Sequence, residues 1–138
     1  MHVMEVDRNG LEVLDRAECL RLLALATIGR IGFTSGALPT ILPMNFRLIG
    51  ERILVRTGRG SKLDAALENA VVAFEADDFD PIYHSGWSVT VTGVASVVSN
   101  PSELDAAKES AIARWAPVGE QAVLAISTEL VSGRRIAS

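Results

Sequence analysis

The amino-acid sequence predicts a mainly β protein with flanking helices, folded as an antiparallel barrel. Three observations lead there. Seven short segments are apolar or rich in β-branched residues, and tight connections such as Ser35-Gly36 and Gly50-Glu51 join several of them. One segment, Trp87 to Val97, alternates with period two: Trp87, Val89, Val91, Ala95 and Val97 fall on one side, and Ser88, Thr90, Thr92 and Ser96 on the other. Helical patterns occur only three times and do not separate successive strands, so regular βαβ alternation is excluded.

The first element is a helix capped by Asp15, with Glu18 three positions on and an apolar stripe of Leu20, Leu23 and Ala24. Strands follow at Ile28 to Thr34, Leu38 to Phe46 and Arg52 to Thr57. Pro39 and Pro43 make the second irregular, which suits an edge, a bulge or a ligand-facing position. Ser61 then caps a short helix reaching about Glu68, with Asp64 at its capping-box position. Val71 to Ala76 is a strand ended by the acidic turn Asp77-Asp78-Phe79-Asp80-Pro81. After the Trp87 strand, Asn100, Pro101 and Glu103 start a third helix whose stripe is Leu104, Ala107, Ala111, Ile112 and Trp115. Val123 to Ile126 and Leu130 to Ile136 close the series.

A chain of 138 residues, 49% hydrophobic, suits one domain over 1–138 with a core of its own. Residues 1–12 carry no element and are expected to be a flexible lead. No apolar run approaches the roughly 20 residues of a membrane span, and the start of the chain has no signal-peptide pattern. With the single Cys19, this gives a cytoplasmic expectation. A formal net charge of −4 argues against a surface that attracts nucleic acid, so an anion site has to be built locally.

Such a cluster lies at Arg56-Thr57-Gly58-Arg59-Gly60-Ser61-Lys62. Three cations, two hydroxyls and two glycines meet where a strand passes into a helix, a setting in which backbone N–H groups and the helix dipole attract an anion. The spacing matches neither the Walker A loop nor the dinucleotide Gly-x-Gly-x-x-Gly pattern. A phosphate site and a solvated turn both fit the residues alone. His84, in a loop beside Tyr83, is a candidate proton donor or a solvated bystander. With two histidines and one cysteine, neither a metal cluster nor a hydrolase triad can be assembled. The Asp77–Asp80 stretch lacks the glycine and terminal glutamate of a calcium loop.

Taken in order, several segments carry a resemblance: Gly29-Arg30-Ile31-Gly32-Phe33, Leu42-Pro43-Met44-Asn45-Phe46, Arg56 through Ala65, Val72-Ala73-Phe74-Glu75, and Gly86-Trp87-Ser88-Val89-Thr90-Val91-Thr92-Gly93. Together they resemble the pyridoxamine 5′-phosphate oxidase-like flavin-binding split-barrel family. The similarity is greatest to its branch of short proteins related to nitroimidazole-resistance proteins. The resemblance spans about Leu14 to Arg135. It implies FMN as cofactor, or a deazaflavin as the alternative, and a homodimer with flavin at the interface. It implies that Arg56, Thr57, Ser61 and Lys62 hold the flavin phosphate. By the same resemblance, Pro43, Met44 and Asn45 run beside the isoalloxazine ring, and Trp87 approaches from the partner subunit. The expected activity is that of an FMN-dependent oxidoreductase acting on a small organic substrate, with a non-catalytic flavin carrier as the competing reading. The C-terminal segment Ser132 to Ser138 does not match the family's pyridoxal phosphate-binding tail, and no residue is assigned a catalytic role.

Overall fold

The computed structural model describes residues 4–109 and 121–136. In chain order they form β1 (Glu5–Val6), β2 (Glu12–Leu14), α1 (Arg16–Leu25), β3 (Ile28–Ser35), β4 (Leu38–Asn45), β5 (Arg47–Ile49), β6 (Arg52–Gly58), α2 (Lys62–Leu67), β7 (Val71–Asp80), β8 (Ser85–Val97), α3 (Pro101–Glu109), β9 (Gln121–Ser127) and β10 (Leu130–Ile136). All strand pairs are antiparallel. One path runs β1-β2-β10-β8-β7-β3-β4, and β9-β6-β5 branches from β8.

The branch makes the barrel a split one, and β8 is where it divides. Its first half, Gly86 to Thr92, pairs with β10, whereas Ala95 to Val97 pair with β9. On the opposite edge β8 pairs with β7 from Ser85 to Val94. Between the two halves sits Gly93, where a Cβ would overlap the Ser127 carbonyl oxygen. The next residue, Val94, donates its N–H to Ser127 Oγ at 2.9 Å. The chain crosses from β9 to β10 over a residue with no side chain, and that close approach lets one strand serve two sheets.

Apolar residues from α1, β3, β6, β7 and β8 fill the main core, with Phe46 and Phe74 packed edge to face at 4.8 Å. A smaller cluster of Leu54, Val98, Ala107 and Ala125 lies on the other face of β6 and β9, beneath α3. Strand β6 is therefore covered on both faces. This explains its unbroken Ile53-Leu54-Val55 run, all fully buried, in place of alternation.

Asp15 caps α1, accepting the Glu18 N–H at 2.8 Å. The buried stripe is Cys19, Leu22 and Leu23, with Ala24 exposed, so it is turned from the expected Leu20–Leu23–Ala24 face. The side chain of Glu18 does not close a capping box. It accepts from Arg21 and from Arg135 (2.8 Å to Arg135), and these two hydrogen bonds, Arg21 first, lower its carboxyl to about 2. A carboxyl held low in the folded state stabilises it above the unfolded range and loses that contribution as pH falls from about 4.5 toward 2. Glu18→Gln is therefore expected to lower stability at neutral pH and to flatten the acid limb of a denaturation profile across that window. Parallel profiles for the two proteins would remove the pairing as a source of acid sensitivity.

Other differences from expectation have local causes. The lead is not structureless: β1 pairs with β2, and β2 with β10, where Arg135 donates to Glu12 at 3.1 Å and Arg134 to Asp7 at 2.9 Å. The acidic stretch continues β7 to Asp80 instead of turning: among the described residues it is laddered there to β8 alone, and its side chains remain in water. Val97 is 41% exposed while Val98 is buried, since the strand ends and Val98 N–H bonds the Val123 carbonyl. Glu103 pairs with Arg52 rather than capping α3. Ala107 is buried as expected, and Ala111, Ile112 and Trp115 lie outside the described residues. β4 ends the sheet path, so the missing N–H groups of Pro39 and Pro43 are tolerated at an edge.

Candidate functional site

Strands β5 and β6 form a hairpin through Gly50 and Glu51, pairing Ile49 with Arg52, Leu48 with Ile53 and Arg47 with Leu54. Continued backwards, that register would set Asn45 opposite Arg56 and Pro43 opposite Gly58. It does not continue. Phe46 turns its N–H to the Thr27 carbonyl at 3.0 Å, and the chain before it follows β3, with Asn45 opposite Ile28. Among the described residues, Val55 to Gly58 keep ladder partners on β9 alone. A split thus opens between β4 and β6, which still approach within 8 Å between Cα atoms.

Alternation decides which side chains face this split. Met44 and Phe46 point into the main core, leaving Pro43 exposed and Asn45 half-buried on the outward face. On β6, Val55 is in the core and Thr57 is buried, so Arg56 takes the outward face that it shares with Leu54. The Nε of Arg56 is buried and has no hydrogen-bond acceptor among the described residues. Leaving such a donor unmatched costs on the order of 1–3 kcal/mol, more when the group is charged.

The β6–α2 loop is organised around Asp64. Ser61 caps α2 by accepting the Asp64 N–H at 3.0 Å, and Asp64 accepts from the Gly60 N–H at 2.9 Å and from Thr57 Oγ1 at 3.3 Å. Gly60 has φ +75°, a conformation that costs glycine little. Lys62 is exposed at the first position of α2. Pro43 to Asn45 and Arg56 to Gly58 therefore lie on neighbouring strands that share no ladder, and Ser61 and Lys62 follow at the end of β6. Met44 turns its side chain away from the split, and Thr57 spends its hydroxyl within the loop.

Trp87 lies elsewhere. It sits opposite Asp78 and Arg135, half-buried against the main core, and three strand spacings separate it from β4, on the order of 14 Å along the sheet. It lines a recess with Leu25 to Ile28 and Asp77 to Asp78. His84 is exposed at the tip of the β7–β8 hairpin, beyond the end of β3, with φ +50°.

Three residues that bear on the site are not evident from composition. Arg47, two positions after Asn45 on the outward side, is oriented by a 2.9 Å bond to the Phe46 carbonyl. Arg30 stands opposite Pro43 and bonds Glu75 at 3.0 Å. Burial, followed by a hydrogen bond from the protonated Glu75 carboxyl to Asp77, raises the Glu75 carboxyl above the usual range, with Arg30 opposing. Asp64, readable only as a helix-start residue, ties the loop together. The alternating face of Arg30, Pro43, Asn45 and Arg47 is the signal that brings the first two into view.

No described helix is long and apolar enough to cross a membrane. Comparison with known proteins places this geometry in context. The Mycobacterium tuberculosis protein Rv0080 is 41% identical over 128 residues, covering 89% of this chain and 84% of that one. The structure of an FAD binding protein from Mycobacterium smegmatis superposes with a TM-score of 0.78 at 35% identity, covering 90% of this chain and 98% of that one. A Bacteroides thetaiotaomicron structure, described as a 5-nitroimidazole antibiotic resistance protein, shares the fold at 14% identity. Its TM-score is 0.72, with 98% of this chain and 94% of that one covered. The family model for pyridoxamine 5′-phosphate oxidase matches residues 15–135. By that match and by its split barrel, the chain belongs to the pyridoxamine 5′-phosphate oxidase family.

Proposed function

We propose that this protein binds a phosphorylated flavin in the split between β4 and β6 and acts as an oxidoreductase on a small organic molecule. The observation that carries the reading is the buried, unmatched Nε of Arg56 at the mouth of a loop bearing Ser61 and Lys62. A phosphate oxygen is the acceptor that such a donor fits, and a guanidinium bonds phosphate more strongly than a neutral donor would. Arg56, Ser61 and Lys62 hold the phosphate, while Thr57 and Asp64 keep the loop in shape. The ring runs along the outward edge of β4, with the backbone of Pro43 to Asn45 and the Asn45 amide as its hydrogen-bonding partners and Met44 supporting the strand from the core. A bound flavin supplies hydride and single-electron chemistry, and the protein supplies binding, orientation and exclusion of water.

The same reading makes the protein a homodimer. Within one copy Trp87 is three strands from β4, so its approach to the ring requires a second copy. Ile41, 73% exposed, and Val71, 71% exposed, lie on the outward face of the β4-β3-β7 sheet and supply apolar area for that contact. The buried, free Cys19 agrees with action in a reducing cytoplasm. The family resemblance favours FMN, whereas the Mycobacterium smegmatis relative is an FAD binding protein; a deazaflavin presents the same tricyclic shape.

The protein purified under native conditions is expected to carry the visible absorption of an oxidised flavin. Anaerobic NADH or NADPH should bleach it. Tight flavin binding with no reduction by either nucleotide would favour a carrier. A colourless protein that takes up no added flavin would contradict the assignment.

A further inference from the structure

Two open recesses share Trp87 and Asp78 as lining residues. These two are ladder partners, and alternation sets both on the core-facing side of the sheet, in line with Val89 and Val91 on β8 and with Phe74 and Ala76 on β7. They lie beyond the end of that core, where the β7–β8 hairpin runs on to Asp80 and Ser85. One recess, of about 480 Å³, is lined by Asp78 to Pro81, Ser85 to Trp87, Arg135 and Ile136. The other, of about 310 Å³, is lined by Leu25 to Ile28, Asp77, Asp78 and Trp87. Both are of the size that small organic ligands occupy. Leu25, Ile28, Phe79 and Ile136 are exposed around the indole and make the walls apolar.

The charge on offer around the indole is negative. Arg135 is the single cation among the described residues lining the two recesses, and its guanidinium donates to Glu12 at 3.1 Å and to Glu18 at 2.8 Å. An anion would have to displace two carboxylates to use it. Asp77 is shared with Arg30 at 3.4 Å, and Asp80 accepts the N–H groups of Ile82 at 2.9 Å and Tyr83 at 3.3 Å. Asp78, directly opposite Trp87, has no side-chain hydrogen bond or ion pair among the described residues. We infer that these recesses bind a small aromatic cation, its ring stacked on the Trp87 indole and its charge matched by the Asp78 carboxylate. A cation over an indole face is attracted by the ring quadrupole. A carboxylate roughly 5 Å away, at an effective dielectric constant of roughly 40, adds roughly ten-fold in affinity and penalises an anion of the same shape. In a homodimer in which Trp87 approaches the ring of a second copy, this is the charge class of molecule brought to the flavin. That link rests on the flavin reading above; the binding itself does not.

The test is titration of the protein as purified, followed by amide NMR at neutral pH and low salt, with 1-methylquinolinium, neutral quinoline and quinoline-4-carboxylate. The cation is expected to bind at least ten-fold more tightly than quinoline, and the carboxylate more weakly than quinoline, with the largest shifts at Gly86, Trp87 and Arg135. Asp78→Asn should lower affinity for the cation roughly ten-fold and change that for quinoline less than two-fold, while Trp87→Leu should weaken both. Added salt should narrow the preference of the wild type. The wild-type ranking and its salt dependence decide the matter if a variant does not fold. Equal affinity for the three probes, shifts centred away from Trp87, or an undiminished preference for the cation in Asp78→Asn overturns the inference. Absorption decides the flavin reading separately. A colourless protein that takes up no flavin and still prefers the cation leaves this inference standing without its link to flavin. A flavin-loaded protein with no preference leaves the flavin reading standing and overturns this one.

Discussion

Replacing Arg56 and Lys62 together by alanine is expected to weaken binding of a phosphorylated flavin by roughly 100-fold or more while leaving the barrel folded. Each lost charge-assisted hydrogen bond contributes roughly 1.5–3 kcal/mol, and two such losses set the scale. Stability should change little. Among the described residues the Nε of Arg56 has no hydrogen-bond partner, so its removal strands no buried group there, and Lys62 is exposed. Riboflavin, which has no phosphate, should bind the variant and the wild type alike. Titration of both proteins with both ligands, beside a thermal melt, reads all of this. Equal affinity for the phosphorylated flavin in variant and wild type would remove phosphate binding from this loop.

A second large effect is expected far from the split. Gly93→Ala places a methyl group against the backbone carbonyl of Ser127, and neither strand has room to move, because β8 pairs with β7 on one edge and with β9 and β10 on the other. Overpacking of this kind in a buried site costs roughly 1–3 kcal/mol, and more where the obstacle is backbone. A loss of at least about 3 kcal/mol corresponds to a fall in Tm of roughly 10 °C for a chain of this size. The cost should be accompanied by separation of β9 from β8, seen as faster amide hydrogen exchange at Val94 and Ala95. A variant as stable as wild type would mean that the crossing of the two sheets is not confined at Gly93.

What the sequence discloses of this molecule follows the strength of its periodicity. Trp87 to Val97 is legible because one of its faces meets the core over most of its length; it fails at Val97, where the strand ends and the chain changes partner. Strand β5 is illegible because only Phe46 separates it from β4, and nothing in Arg47-Leu48-Ile49 announces a change of sheet. The acidic end of β7 reads as a turn because its carboxylates need no burial: one hydrogen-bonded neighbour keeps it extended. The short β1 and β2 are set by ion pairs to Arg134 and Arg135, contacts that span the whole chain and leave no local pattern.

The β6–α2 loop is readable from sequence as a candidate phosphate site, since glycines, hydroxyls and cations at a strand–helix junction form a local motif. The division of labour within it is not. Thr57 and Arg56 are adjacent in sequence and differ only in which face of β6 they occupy, so one is tied to Asp64 and the other is aimed outward. Asp64 likewise fits the capping position, yet its carboxylate reaches the Gly60 N–H and the Thr57 hydroxyl instead of the N–H of the capping residue itself. The opening between Asn45 and Arg56 depends on the departure of β4 from β6, a tertiary event marked by the Phe46–Thr27 hydrogen bond and by the pairing of Asn45 with Ile28.

A crystal structure of the flavin-loaded protein is expected to show a phosphate oxygen within roughly 2.7–2.9 Å of the Arg56 Nε, with the ring laid along Pro43 to Asn45. A flavin seated away from the β4–β6 split, or an Arg56 Nε that bonds a protein group while the phosphate lies elsewhere, would contradict this expectation.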